Sequence, residues 1–364
     1  MKRRQVRHSA SADRLMGMKR YVTLRSRHGR FHIQLEKKAL WMMGGLALAL
    51  LIMGVVSVGW GDTYVHPAEV LQAIWGHSSG EHDFILYRLR FPRALTGVLV
   101  GAALGIAGAV LQGIIRNPLA SPDILGITGG ASVAAVTFIA YGGTLLSIQW
   151  LPVAAVIGAL VVSLLVYLLA WKDGVTPIRL LLVGIGLASA MSSVTTLMLV
   201  MSSSFTAGKA YIWLTGSVYG ASWNNVYTML ISIGVCSPLV LYFARSLNTQ
   251  ALGDDVATGL GVEVQRHRVI LLLLSVILAG TAVAVAGAIG FVGLIAPHIA
   301  RRLAGCSMGS LTLVSALVGG MLVYLADLLA RTVFYPIDIP AGVFTAGVGA
   351  PFFLYLLLQR RDRH

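Results

Sequence analysis

Two ionisable residues lie four positions apart in an apolar stretch of this sequence, and they are the first candidates for chemistry. Asp327 and Arg331 both stand in a run long enough to cross a membrane. An ionisable side chain inside hydrocarbon is costly and is by default a functional candidate, here for carrying a proton. A spacing of four also puts an acid and a base on one helix face, where they can pair. We favour the structural ion pair, and proton carrying is the alternative.

Two arginines flank a proline at the start of another apolar run. Arg90 and Arg93 bracket Pro92. Long basic side chains at such a position often anchor a helix at the membrane surface. Guanidinium groups also bind carboxylates in a bidentate geometry, so the pair could dock an acidic partner. Spacing alone does not choose between the two interpretations.

The motifs of nucleotide, metal and disulfide chemistry are missing from the sequence. Gly208-Lys209 lacks the upstream glycine and the hydroxyl residue of a phosphate-binding loop, so we expect no ATP site here. Cys236 and Cys306 give neither a disulfide framework nor a metal cluster. His298 stands alone in an apolar run and is interpreted as a hydrogen-bonded core residue. The sequence therefore predicts no catalytic residue, no metal and no cofactor bound by this chain.

The composition indicates that a lipid bilayer surrounds most of the chain. Hydrophobic residues make up 57% and charged residues only 12%, whereas soluble domains carry about a quarter charged residues. A membrane-spanning helix needs roughly 20 mostly apolar residues. The eighth candidate is short, and we divide it from the seventh near Gly287–Gly290. The ten candidates lie near 39–60, 93–114, 123–142, 150–171, 178–201, 225–244, 268–287, 290–303, 311–331 and 341–358. The expected fold is an all-α polytopic bundle.

The distribution of basic residues gives the expected orientation of the bundle. The net charge is +14, and twelve of the 28 Lys and Arg precede Ala39. Basic residues beside apolar spans mark cytoplasmic segments, which we favour over a nucleic-acid-binding arm. Alternating the ten spans puts 23 basic residues inside and five outside, with both termini cytoplasmic. We therefore divide the chain into a basic tail (1–38) that could touch anionic lipid, a permease domain (39–360) beginning with an uncleaved span, and a short tail (361–364).

Small residues recur every fourth position along the second span and predict close helix packing. A spacing of four keeps them on one helix face, where small side chains let two backbones approach. The ladder comprises Gly97, Gly101, Gly105, Ala109 and Gly113.

A faint internal similarity suggests an inverted repeat, which is common in transporters. Residues 107–110 (Ala-Gly-Ala-Val), followed by Pro118, resemble residues 286–289 (Ala-Gly-Ala-Ile), followed by Pro297. The two segments lie in spans of opposite direction.

The longest inner loop, 246–267, contains a glycine-flanked segment that could form one or two helical turns. Residues 251–261 read Ala-Leu-Gly-Asp-Asp-Val-Ala-Thr-Gly-Leu-Gly. The segment is either an ordinary solvated loop or a small helix presented to a cytoplasmic partner.

In combination, five groups of residues resemble the FecCD family, the permeases of bacterial importers for iron–siderophore complexes, haem and cobalamin. The resemblance covers nearly all of the chain after about Leu40. The groups are residues 90–93; Gln112 with 117–126; the loop 252–261; residues 287–298; and 339–343 with 349–353. The basic tail before Leu40 is longer than is usual for the family.

The resemblance implies a subunit of ten helices, with an inverted-repeat arrangement, in the bacterial cytoplasmic membrane. It implies a second permease subunit, two cytoplasmic ATPase subunits that hold ATP and Mg²⁺, and an external substrate-binding protein. Arg90, Arg93 and Arg331 match positions that dock the binding protein. The positions that match the ATPase-coupling helix are Gly253, Asp254, Asp255, Ala257, Gly259, Leu260 and Gly261. The expected pathway-lining residues are Met191, Ser192, Thr195, Phe344 and Thr345.

These expectations describe a transport subunit that moves its cargo by alternating access without covalent chemistry. An iron(III)–siderophore is the first choice of cargo, with haem and cobalamin open, and the second permease is either a copy or a paralogue. The main alternative is a secondary transporter driven by an ion gradient, which should place several ionisable residues in its spans, where Asp327 is nearly alone. A membrane-embedded enzyme is a third class, and the sequence lacks paired catalytic groups for it.

Overall fold

A computed structural model describes residues 21–25, 32–61, 63–77, 80–142 and 147–361. Within these ranges the chain folds into a helical bundle preceded by a short two-stranded ribbon. The helices are α1 (Lys37–Gly59), α2 (Pro67–Ile74), α3 (Phe91–Ile115), α4 (Ile127–Thr137), α5 (Leu151–Ala170), α6 (Pro177–Met201), α7 (Ser204–Thr215), α8 (Trp223–Gln250), α9 (Asp254–Gly259), α10 (Val264–Ala286), α11 (Val292–Ala304), α12 (Met308–Thr332) and α13 (Ala341–Arg361). A π-helical segment, Phe84–Arg90, runs directly into α3, and α4 continues in the same way to Gly142.

Each of the ten apolar runs coincides with a helix of this bundle. By length and composition, seven helices could cross a membrane: α1, α3, α5, α6, α8, α10 and α12. Two shorter apolar helices, Ile127–Gly142 and Ala341–Leu356, account for the third and tenth runs. The eighth run is α11, which has 13 residues and carries Arg301 and Arg302 in its last turn. The all-α membrane fold is thus confirmed.

The centre of the bundle is built on α3, α10 and α12. Most residues of these three helices are buried, whereas α1 and α6 expose most of their apolar side chains at the periphery. In a bilayer, lipid is as apolar as leucine, so such side chains need no protein cover.

The small-residue ladder of α3 packs against α12, as predicted. A Cβ built on Gly101 would clash with the carbonyl oxygen of Gly319, and one on Gly105 would clash with that of Ser315. The contact is reciprocal, because a Cβ on Gly319 would clash with the carbonyl oxygen of Gly101. Only glycine lets the two backbones meet at this distance.

The chain breaks between α10 and α11 where the sequence predicts it. Gly287 has a φ of +71°, which glycine adopts without cost, and a Cβ there would clash with the carbonyl oxygen of Trp213. The internal similarity does not extend to local structure. Residues 107–110 are helical within α3, whereas the matching 286–289 lie at this break.

An antiparallel ribbon precedes the first span, within the segment assigned to the basic tail. Strand β1 (Tyr21–Arg25) pairs with β2 (His32–Glu36), with Tyr21 opposite Glu36. The backbone N–H of Glu36 donates to Ser310 Oγ at the start of α12, 3.3 Å away. The rest of that tail, 1–20 and 26–31, lies outside the described residues.

Candidate functional site

The predicted docking and coupling residues gather at two opposite ends of the bundle. Arg93 lies in the first turn of α3, and Arg116 directly follows its last residue. With a rise of 1.5 Å per residue, the helix separates them by roughly 35 Å. We call one the Arg93 end, which also contains the last residues of α1 and α12. We call the other the Asp254 end, which contains α9 and the start of α10.

At the Arg93 end, one guanidinium group binds two carboxylates. Its Nη1 and Nη2 donate to Asp338 at 2.7 and 2.8 Å, and its Nε and Nη2 donate to Asp327 at 2.8 to 3.1 Å. The Tyr219 ring lies over the same guanidinium, with its centroid 5.4 Å away. Arg93 therefore links α3 to α12, to the loop before α13 and to the turn before α8.

The favoured pairing of Asp327 with Arg331 is wrong. Asp327 pairs with Arg93, whereas Arg331 donates to the carbonyl oxygens of Ser57 and Trp60, at 2.7 and 3.2 Å. The last carbonyls of α1 have no partner within their helix and carry its negative dipole, which attracts a cation. The guanidinium group of Arg93 donates to Asp327 through two parallel N–H groups. Arg331 lies on the same helix as Asp327, and its side chain would have to fold back along that helix to make the same contact.

Arg90 also binds backbone at the end of α1. It donates to the carbonyl oxygens of Val58, at 2.7 Å, and Thr63, at 2.6 Å. The three predicted docking arginines thus surround one cavity of about 610 Å³. Its charged lining residues are Arg88, Arg90, Arg93, Arg331, Asp327 and Asp338.

No sequence pattern pointed to Asp338 or Tyr219 as residues of this site. Asp338 is a lone acid in a proline-containing loop, 245 residues from Arg93. Only the packing of α12 and its following loop against α3 brings the two side chains together.

At the Asp254 end, the glycine-flanked loop forms the predicted small helix, α9. Gly253 and Gly261 have φ of +120° and +82°, conformations that favour glycine and let the chain turn sharply on either side. Ala257 is buried against the bundle. Val256 within α9 is exposed, as are Leu252 and Leu260 on either side of the helix, and we call these three residues the apolar strip of α9.

The two adjacent acids of α9 have different environments. Both carboxylate oxygens of Asp254 accept from Arg268 Nη2 at 3.0 Å, and Asp254 also pairs with Arg116. Burial raises the pKa of Asp254, but the hydrogen bonds and charges of these two arginines outweigh it, so the pKa lies below its usual value. Asp255 is exposed. Asp254 therefore holds α9 on the bundle, and only Asp255 is presented outward.

Arg268 extends this network deeper into the chain. Its side chain is fully buried and also donates to the carbonyl oxygen of Val175, in the turn before α6. The carboxylate of Asp254 is the only acid that pairs with Arg268 among the described residues. α9 is thus joined to the end of α3, the start of α10 and the turn before α6.

The five expected pathway residues lie on two helices that pack on different neighbours. α6 packs on α4 and α5, whereas α13 packs on α11 and α12. Thr195 and Thr345 are buried, and their hydroxyls donate to carbonyls of their own helices, at 2.9 and 3.0 Å. Ser192 is exposed, and Met191 and Phe344 are half-buried. Neither the cavity at the Arg93 end nor an apolar cavity of about 200 Å³ beside Tyr167 is lined by any of the five.

Comparison with known proteins gives a consistent family assignment. The model of the FecCD transport family matches residues 49–359. The "Probable siderophore transport system permease protein YfhA" of Bacillus subtilis (strain 168) is 45% identical over 342 residues, covering 92% of this chain and 99% of that protein. The "Achromobactin transport system permease protein CbrC" of Dickeya dadantii (strain 3937) is 48% identical over 338 residues, covering 92% and 96%.

The fold is also similar to that of a solved structure over most of the chain. A transporter of the metal-chelate ABC type, solved in an inward-facing conformation, superposes with a TM-score of 0.76 at 31% identity and covers 88% of this chain and 99% of that one. The family match, the two relatives and this superposition all extend over most of the chain. The chain belongs to the FecCD transport family.

Proposed function

We propose that this chain is the membrane-spanning permease of an ATP-driven bacterial importer for an iron(III)–siderophore chelate. The observation that carries the proposal is the match over 92% of the chain to a permease named for siderophore transport and to another named for achromobactin transport. Haem and cobalamin remain the second choices of cargo. The chain itself supplies no catalytic residue, and ATP and Mg²⁺ belong to a partner ATPase.

The Asp254 end is the cytoplasmic end in this proposal. Basic residues of the bundle concentrate there, in agreement with the positive-inside rule. They are Lys37, Lys38, Arg116, Lys172, Arg179, Arg245, Arg266, Arg268, Arg301 and Arg302. In this orientation the start of α1 and the end of α13 face the cytoplasm, and the Arg93 end faces outward.

The apolar strip of α9 is the proposed seat of the ATPase. Leucine and valine side chains that project beyond a charged bundle end lie outside hydrocarbon, so a protein partner must cover them. Movement of the ATPase reaches the spans through Asp254, which binds the start of α10 and the end of α3.

Translocation requires a second permease subunit, as either a copy or a paralogue. Neither described cavity is lined by the expected pathway residues of α6 and α13, and only four of the 25 residues of α6 are buried. Two chains placed with these helices facing each other would form a central path. The close contact between α3 and α12 would move as a rigid unit while the path alternates between the two sides.

The structure weakens the main alternative, a secondary transporter. Such a carrier needs an intramembrane acid that can bind and release an ion. Asp327 is almost fully buried, and its carboxylate accepts hydrogen bonds from Nε and Nη2 of Arg93. This arrangement favours a permanent ion pair over a proton carrier.

Co-purification and uptake test the proposal together. The tagged chain is cross-linked in bacterial membranes, its partners are identified by mass spectrometry, and uptake of radiolabelled iron(III)–siderophores, haem and cobalamin is measured in vesicles. We expect an ATPase and a binding protein among the partners, and siderophore uptake only with ATP. Uptake driven by a proton gradient after deletion of the ATPase would refute the proposal.

A further inference from the structure

Arg93 cannot dock an acidic partner in the state that the structure shows. Its end-on pair of nitrogens, Nη1 and Nη2, already binds both oxygens of Asp338, and its side-on pair binds Asp327. Bidentate binding of one more carboxylate requires a free pair of parallel N–H groups. A partner can therefore bind Arg93 in this way only by displacing one of the two aspartates.

Burial decides which aspartate would leave. The Asp338 side chain is 29% exposed and lies in a loop, whereas that of Asp327 is 5% exposed and lies within α12. Removing Asp327 from its partner would leave a charge buried in the bundle, which is strongly unfavourable. Asp338 can turn into the cavity of the Arg93 end, which it lines together with Arg331.

Asp338 also lies next to the start of α13, so its release from Arg93 would affect the position of that helix. Only two residues, Ile339 and Pro340, separate it from Ala341, the first residue of α13. The first turn of α13 is held against the turn before α8, because the Gly342 N–H donates to the Gly216 carbonyl oxygen at 2.9 Å. Arg93 contacts the segments on both sides of this hydrogen bond: Asp338 in the loop before α13, and Tyr219 in the turn before α8.

We propose that Asp338 is an internal competitor that occupies the docking position on Arg93, and that an acidic side chain of the binding protein displaces it and so frees the segment leading into α13. The inference rests on the proposed function and on the docking role that the family resemblance implies for Arg93. Asp338 is then a positioning residue. Docking acts on α13 because a carboxylate of the binding protein replaces the carboxylate of Asp338 on Arg93. The partner that fits is a protein surface with a projecting glutamate or aspartate.

The first test measures the affinity of the assembled transporter in lipid nanodiscs for the binding protein recovered by co-purification. Asp338→Asn keeps the size of the side chain and removes the competing charge. Because a blocked site lowers apparent affinity by the fraction of time it is blocked, we expect binding about tenfold tighter. Asp338→Glu restores the carboxylate and should return the affinity towards that of the original protein.

Glu81 provides the matched control for charge. It is exposed near the same end and does not contact Arg93. Glu81→Gln removes one negative charge as Asp338→Asn does, so its effect measures general electrostatic attraction alone, which we expect to stay within about twofold. Equal effects of the two substitutions, or weaker binding with Asp338→Asn, would overturn the inference.

The second test measures the mobility of the loop that contains Asp338, first without the binding protein and then with it. A spin label is attached at Ile337→Cys, an exposed position, in a background in which exposed Cys306 is replaced by Ser. Asp338→Asn should raise the mobility of the label without any binding protein, and docking should raise it in the chain with Asp338. A label equally immobile in both chains would refute the exchange. Absence of any binding protein, with a mobile label in Asp338→Asn, would instead count against the proposed function.

Discussion

Gly101 of α3 and Gly319 of α12 are in reciprocal backbone contact, each at a position where the other's carbonyl oxygen excludes a Cβ. The contact joins two of the central helices of the bundle, one of which carries Arg93 and the other Asp327. The ion pair at the Arg93 end is therefore held by packing deeper in the bundle.

Gly101→Ala should destabilise the chain by about 1–3 kcal/mol, because the added methyl group forces two backbones apart. Thermal unfolding in detergent measures the loss. Gly97→Ala on the same face is the control, since the nearest atom to its Cβ would be 3.9 Å away, an ordinary contact. Equal melting temperatures for the two variants would contradict the assigned packing.

Val256→Asp should abolish co-purification of the ATPase while leaving the permease folded. The substitution puts a charge in the centre of the exposed apolar strip of α9, where a partner would have to bury it unpaired. Thr258→Asp adds the same charge to an exposed position on another side of α9 and should retain the ATPase. Retention by both variants would show that the strip is not the ATPase seat.

Asp254→Asn should uncouple ATP hydrolysis from transport more severely than Asp255→Asn. The first substitution leaves fully buried Arg268 without its carboxylate, whereas the second alters an exposed group. Uptake per ATP hydrolysed by the reconstituted importer separates the two. Equal coupling in both variants would mean that Asp254 does not transmit the motion.

The lowered pKa of Asp254 also predicts the pH range of its contribution. A carboxyl whose pKa is lower in the folded chain stabilises it fully above the unfolded value, 3.8, and loses that effect as the pH falls through the folded value. The difference in melting temperature between the original chain and Asp254→Asn should be constant from pH 5 to 8 and shrink below pH 4. A difference that grew on acidification would contradict the sign.

Asp327→Asn should lower thermal stability without making uptake depend on a proton gradient. The amide replaces a carboxylate that holds two donors of Arg93, while Asp338 remains to pair with that guanidinium. Melting temperature and ATP-driven uptake at two external pH values measure the effects. Loss of all uptake at unchanged stability would restore the proton-carrying role.

The sequence by itself determined the apolar helices of this protein and their places. Apolar length predicted ten of the thirteen helices among the described residues, the glycine ladder predicted the contact of α3 with a neighbour, and glycines around Asp254 predicted α9, because each depends on side chains near in sequence. The ribbon before α1 was not predicted. The outer docking role of the arginines and the pathway residues stay predictions.

Tertiary structure alone decided which charges pair. Asp327 pairs with Arg93, which is 234 residues away, and not with Arg331, which is four residues away. Arg331 instead donates to carbonyl oxygens at the end of α1. The inward direction of Asp254 and the position of Asp338 were decided in the same way. An ion pair depends on which groups packing brings within hydrogen-bonding distance and which donors remain unused there, and neither quantity is local in the sequence.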